Sequence, residues 1–256
     1  MAGIGESHES KSVTILIGTA GWSLPSKVAE RFPTEGTSLQ RYASKFGAVE
    51  INSSFHRPHR ISTWERWYES VPDQFRFSVK VPKQITHANK LVECGSELDR
   101  FIEQASALKE KLAVILVQLP PKLSFDSVIA GDFLRDLGAR TNATIACEPR
   151  HAGWFTEEAD KLLSDLSVAR VAADPAICEE ASRPGGWPGL RYWRLHGSPI
   201  TYRSSYHDRI GRYARTFEQV DEHDTDVWCM FDNTASSAAT SDALALLDEL
   251  AVAGKS

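Results

Sequence analysis

Apolar, β-branched runs recur along the chain, separated by amphipathic segments. The runs are VTILIG (13–18), AVEIN (48–52), FRFSVK (75–80), AVILVQ (113–118), ATIACE (143–148), ARVAAD (169–174), LRYWRLHG (190–197) and DVWCMFD (226–232). Each has the length and composition of a strand. Between them, segments 38–46, 62–71, 97–112, 125–138, 156–166, 208–220 and 241–252 repeat apolar residues three and four apart, which predicts helices. Ser62, Ser96 and Thr156 stand where N-caps are expected. The sixth gap is the exception. AICEEAS (176–182) allows a short helix at most, and RPGGWPG (183–189) reads as a loop insertion.

Strand alternating with helix implies a parallel sheet. Eight such units in 256 residues predict an α/β fold, a (β/α)8 TIM-type barrel that is irregular around its sixth helix. The alternative is an open doubly wound sheet, but GTAGWS (18–23) lacks the G-x-G-x-x-G turn of that class. A single domain is expected over 13–256, after a disordered polar tail at 1–12. Segments leaving strands are long (19–36, 81–96, 197–207), whereas those entering strands are short. In a barrel this crowds the C-terminal rim, where active sites of that architecture sit.

Every predicted strand except the first ends in an amide or ionisable group. In chain order these are Glu50 and Asn52; Lys80; Gln118; Glu148, Arg150 and His151; Asp174; Arg194 and His196; Asp232 and Asn233. Alternation puts Glu50 with Asn52, Glu148 with Arg150, and Arg194 with His196 on shared faces. Facing inward, they converge in one mouth. Taken singly, each reads as a structural pair, such as Glu148 with Arg150 or Lys80, or Asp174 with Arg194. Seven strand ends agreeing on one rim favour a site, because desolvation offsets much of what a buried ion pair gains. Trp22, Trp154 and Tyr206 lie beside these positions, with Phe55, Phe155, Trp187 and Tyr202. Such rings can stack on a ligand or plug the barrel top; Phe55 and Phe155 read as packing.

Composition adds little until charge is resolved by position. Hydrophobic residues make up 42% and charged residues 25%, as in ordinary globular chains. The net charge of −5 excludes a generally basic surface. Yet residues 52–60 hold two arginines and no acid, 80–90 three lysines and no acid, and 194–212 four arginines and one aspartate. A positive rim on an acidic body attracts anions, and phosphate suits arginine forks. Cys94, Cys147, Cys178 and Cys229 form neither a C-x-x-C pair nor a zinc spacing and read as reduced thiols. With no apolar run of membrane length and no signal-like start, a cytoplasmic protein is expected.

Several stretches carry a family resemblance: IGTAGWS (17–23), YASKFGAVEINSSFHR (42–57), FRFSVKVPKQITH (75–87), LVQLPP (116–121), CEPRHAGWF (147–155), YWRLHGS (192–198) and FDNTASSAATSDAL (231–244). In this order they resemble the signatures of the YecE-like family, domain of unknown function 72, from about residue 15 to about 250. The resemblance implies a TIM-type barrel and no particular reaction. It carries over Glu50, Asn52, Lys80, His87, Gln118, Glu148, Arg150, His151, Arg194, His196 and Asn233 as pocket residues. Two departures stand out. The chain has Phe231-Asp232-Asn233 where members usually read FNN, and Glu148-Pro149-Arg150-His151 where they often read EFRH. The first adds a negative charge, and the second removes a backbone donor.

These residues favour an enzyme acting on a small anionic, phosphorylated ligand, its reaction class left open. Lys80, Arg150 and Arg194 would clamp the anion, with Glu148 as general base and His196 or His151 as its proton-transfer partner. Trp22, Glu50, Asn52, His87, Gln118, Trp154, Tyr206, Asp232 and Asn233 would contact the substrate. No cofactor is expected. A metal-dependent variant would set a divalent cation among Glu50, Glu148, Asp174, His196 and Asp232, against the repulsion of three nearby cations. The other classes are a nucleic-acid-binding or phosphodiester-cleaving barrel of the endonuclease IV kind, an analogy of fold alone, and a non-catalytic metabolite sensor.

Overall fold

A computed structural model describes residues 14–220 and 225–253. The predicted tail at 1–12 lies outside the described residues. Among those described, the strands are β1 (Ile15–Thr19), β2 (Ala48–Ile51), β3 (Arg76–Lys80), β4 (Leu112–Gln118), β5 (Thr144–Glu148), β6 (Val168–Arg170), β7 (Ala172–Asp174), β8 (Gly185–Gly186), β9 (Leu190–Leu195) and β10 (Asp226–Phe231). β2 to β6 pair in chain order, and β7, β9, β10 and β1 form a second parallel ladder. The ladders join at two seams. Ala20 bridges Glu50, with Gly21 N donating to Glu50 O at 2.8 Å. At the other seam, β6 pairs with β5 and β7 with β9, while Val171 N between them donates to Cys147 O at 2.8 Å. The result is a closed eight-staved TIM-type barrel in which the predicted strand 169–174 is broken into two short strands.

The break has a side-chain cause. Arg170 is buried and gives Nε to Asp160 Oδ1 at 2.9 Å and Nη1 to Glu180 O at 2.8 Å. Part of the RPGGWPG segment lies along it as β8, antiparallel to β6. Gly186 is required there, because its φ is +64° and a Cβ would fall 2.6 Å from Val168 O. Gly18 plays the same part at the first seam, where a Cβ would meet Ala48 O at 2.3 Å.

The helices are α1 (Ser38–Ala43), α2 (Ser53–His56), α3 (Ile61–Glu69), α4 (Gly95–Ala105), α5 (Ser127–Gly138), α6 (Glu157–Asp165), α7 (Ile210–Glu218) and α8 (Ala239–Ala253). The sixth connection carries only a 3-10 turn at Glu180–Ser182. Thr156 caps α6, as expected. Ser62 and Ser96 instead lie inside the first turns of α3 and α4, whose cap positions are Arg60 and Cys94. None of these helices is long and apolar enough to cross a membrane.

Strand alternation sorts the buried residues into two cores. Outward residues such as Ile51, Val79, Val117, Leu195 and Phe231 pack against Leu98, Phe101, Leu134, Leu163 and Phe217 of the helices. Inward residues Val114, Leu116, Ala146, Val171, Tyr192, Trp228 and Met230 fill the barrel. The Tyr192 and Trp228 rings stack at 5.9 Å. The inward-facing Arg194 lies one inward step beyond Tyr192 along β9, at the mouth side of this plug.

Candidate functional site

Cross-strand register decides which strand-end groups meet. Glu50 pairs with Ser78, Gln118 with Glu148, and Met230 with Arg194, so these share the inward face. Asp174 pairs with Leu195, one step out of phase with Arg194, and therefore faces outward. The expected Asp174–Arg194 pair is replaced by Asp174 with Arg209 Nη1 at 2.9 Å and the Tyr213 hydroxyl at 2.8 Å.

Arg194 is the centre of the barrel floor and is fully buried. Its Nε donates to Glu50 Oε2 at 2.9 Å and its Nη2 to Glu50 Oε1 at 2.6 Å. Nη1 donates to Glu148 Oε2 at 2.5 Å, and Nη2 also reaches Asp232 Oδ2 at 3.0 Å. Tyr192 supports Glu50 by donating to Oε2 at 2.9 Å, with Ser78 Oγ 3.0 Å from its hydroxyl. Burial alone would push the Glu148 carboxyl up, but Arg194, Arg150 and His196 outweigh it and hold it well below the usual range. Burial likewise opposes the Arg194 charge, and the three carboxylates overcome it. The Asp232 carboxyl is held low against burial, chiefly by Arg194 and His196.

His196 joins the floor to the rim. Asp232 Oδ2 is 3.0 Å from Nδ1, which fixes the proton on that nitrogen. Nε2 lies 2.9 Å from Glu148 Oε1 and 3.0 Å from Arg150 Nη2. A neutral ring accepts from Arg150, and a protonated ring donates to Glu148, so the imidazole has a partner in either state.

Above it stand Arg150 and Lys80. Arg150 gives Nε to Glu148 Oε1 at 2.8 Å, and its side chain is 23% exposed. Lys80 is 8% exposed. Its Nζ lies 4.1 Å from the centre of the Phe55 ring and has no hydrogen-bond or ion-pair partner among the described residues. Burial and the Arg194 charge pull its pKa down to about 8, against the partial support of Glu50, Glu148 and Asp232. His87, edge-on to Phe55 at 5.1 Å, is pushed down by burial and then by Lys80, Arg150 and Lys83. Asn52 Oδ1 is buried without a partner. Gln118, inward beside Glu148, donates to Leu119 O at 2.7 Å.

Other predicted residues lie elsewhere or are committed to structure. Trp154 is buried, gives Nε1 to Leu123 O at 3.0 Å and packs on Phe125. His151 Nδ1 accepts from Gly153 N at 3.0 Å and caps a short turn. The Tyr206 hydroxyl donates to Asp174 O at 2.8 Å and accepts from Gly197 N, and burial pushes its pKa up. Trp22 packs edge-on against Trp67 at 5.2 Å. Asn233 gives Nδ2 to Asp242 at 2.7 Å and Ser204 O, tying β10 to α8, while its Oδ1 is buried without a partner. Conversely, sequence reading missed Ser78 and Tyr192, although alternation puts Ser78 in phase with Lys80 and Tyr192 in phase with Arg194. It also assigned Phe55 to packing alone, whereas that ring carries Lys80 and lines a flank cavity of about 240 Å3 with Trp64, Arg57, Lys83 and Arg100. The residues suggested for a divalent cation do not form a metal-binding group among the described residues, and Arg194 occupies Glu50, Glu148 and Asp232.

A closed parallel barrel with an ionic floor at the C-terminal ends of its staves defines a TIM-type barrel protein. The chain belongs to the family described as "Protein of unknown function DUF72", whose model matches residues 16–256. It is 33% identical to UPF0759 protein YecE of Escherichia coli K12 over 166 residues, 62% of this chain and 59% of that protein. UPF0759 protein YunF of Bacillus subtilis is 29% identical over 113 residues, 42% of this chain and 40% of its own. The chain thus matches less than two thirds of the length of these curated relatives. Among solved structures, a DUF72 protein of Enterococcus faecalis superposes with a TM-score of 0.77 at 19% identity, covering 93% of this chain and 96% of that one. A DUF72 protein of Thermotoga maritima gives 0.74 at 21% identity, covering 93% and 99%. At these identities the likeness is one of fold.

Proposed function

We infer that the chain is an enzyme whose substrate is a small anionic molecule, phosphorylated or carboxylated, held at the C-terminal mouth of the barrel. Lys80 and Arg150 clamp the anion. Arg194, with its donors spent on three carboxylates, supports the floor and does not reach the ligand. The observation that carries this reading is the Lys80 ammonium, which is nearly buried yet has no hydrogen-bonded partner. An unpaired buried charge is costly, and an anion supplies the missing contact. Glu148, His196 and Asp232 are the proton-handling part. When the ligand draws Arg150 toward itself, His196 Nε2 is released to take a proton as the base, and the Glu148 carboxylate stabilises the imidazolium that forms.

The test is calorimetric titration of inorganic phosphate into the protein on both sides of pH 8. Affinity is expected to fall as pH rises through about 8, where the Lys80 ammonium loses its proton. Lys80→Met should weaken binding at least about tenfold, about 1.4 kcal/mol, and flatten the pH dependence. Phosphate binding that Lys80→Met leaves unchanged sinks the reading.

A further inference from the structure

Among the described residues two lysines are buried, and they differ in one respect. Lys111 is 3% exposed, and its Nζ donates to Tyr68 O at 2.9 Å and Val71 O at 2.8 Å. Lys80 is 8% exposed, and its Nζ rests on the Phe55 ring with no acceptor at hydrogen-bond distance. Among the described residues, the side-chain polar atoms that are both sealed from solvent and unpartnered are Asn52 Oδ1, Trp64 Nε1 and Asn233 Oδ1. Lys80 Nζ is not one of them, so a path from solvent reaches it. A structural lysine is satisfied like Lys111. A lysine largely buried, without a hydrogen-bond partner and still reachable at the end of a barrel strand is arranged to react.

We propose that Lys80 is a nucleophile as well as a clamp: its Nζ condenses with the carbonyl of a small oxo acid whose acidic group sits on Arg150, forming an imine at the end of β3. This builds on the anion-holding reading of the same mouth and narrows the substrate class to anions that carry an aldehyde or ketone. The amine is available. With its proton affinity lowered by burial, about a tenth of Lys80 side chains are neutral near pH 7, against about one in three thousand for an exposed lysine.

The step balances with groups already in the mouth. The Nζ lone pair attacks the carbonyl carbon, a C–N bond forms, and the carbonyl oxygen takes a proton from the His196 imidazolium. The nitrogen loses one proton to the relay, and the hydroxyl leaves as water with another. Amine, carbonyl and one proton become a protonated iminium and water. Glu148 and Asp232 hold His196 through both proton transfers. The Phe55 face then lies against the iminium cation as it lies against the ammonium now.

The experiment uses pyruvate and glyoxylate as probes. The full chain is incubated with each, reduced with sodium borohydride, digested and mapped by mass spectrometry. Hydride addition to the iminium carbon leaves a stable secondary amine. A single reduced adduct on Lys80 is expected, at least about tenfold above that on the exposed neighbour Lys83. The adduct should diminish when phosphate competes and be absent in Lys80→Met. Phosphate titration of the same preparation separates the two levels. Intact phosphate binding with no Lys80 adduct from either probe overturns the imine and keeps the anion site. Adducts spread evenly over the exposed lysines also overturn it. Absence of both phosphate binding and adduct removes both.

Discussion

At the broken sixth stave, Arg170 and Asp174 spend their polar atoms on neighbours. Arg170 bonds Asp160 and the Glu180 carbonyl, while Asp174 bonds Arg209 and Tyr213 at the edge of an open cleft of about 710 Å3. At the mouth, Arg194 is equally committed, but the groups above it are not. Lys80 Nζ and Asn52 Oδ1 have no hydrogen-bond partner, and Arg150 is partly exposed. Both regions present the same raw material, charged residues at the ends of parallel strands. They differ in what is left over after the protein has paired its own charges. The mouth is set apart by a largely buried cation, Lys80, that the protein has not paired.

The comparison breaks most visibly at the floor. Arg194→Met leaves Glu50, Glu148 and Asp232 buried without their cation. It should lower the unfolding free energy by about 3–5 kcal/mol, measured by urea denaturation at neutral pH. A loss below about 1 kcal/mol would mean that the floor is far less sealed than its burial indicates.

Lys80→Met should act in the opposite sense. Lys80 titrates near pH 8 when folded and at its ordinary 10.5 when unfolded. Between those values the unfolded chain binds more protons, so the stability contributed at this position rises with pH. The wild type should therefore gain on Lys80→Met by roughly 1 kcal/mol per pH unit between about pH 8 and pH 10. Below pH 8 the variant should be at least as stable as the wild type. Parallel curves for the two proteins over that range would show that the amine is solvated normally.

The smallest effect is expected at the sixth stave. The Asp174–Arg209 pair is partly exposed, with side chains 24% and 31% accessible. Asp174→Asn should cost about 1 kcal/mol or less in urea denaturation and leave phosphate affinity unchanged. A drop in affinity comparable to that of Lys80→Met would place the ligand site in the outer cleft instead.

Most of the barrel was legible because its eight staves are short β-branched runs, each followed by a helix pattern except at the sixth. The broken sixth stave was not. ARVAAD reads as one strand, and only the tertiary contacts of Arg170 with α6 and the Gly185–Gly186 segment reveal the break. The convergence of Glu50, Lys80, Glu148, Arg150, Arg194, His196 and Asp232 was legible because alternation within a strand is local. Asp174 was misassigned because its facing depends on register between β7 and β9, which no single strand encodes. Tyr206, Trp154 and His151 were singled out by proximity in sequence to charged strand ends. Their hydrogen bonds run to backbone atoms that sequence pattern does not locate.

The most direct measurement is a crystal of this protein soaked in selenate, read by anomalous scattering. An ordered selenium peak within contact of Lys80 Nζ and the Arg150 guanidinium, above an undisturbed Arg194 floor, is the predicted result. An empty mouth with selenate ordered instead against Arg183 or Arg209 in the outer cleft would contradict the account.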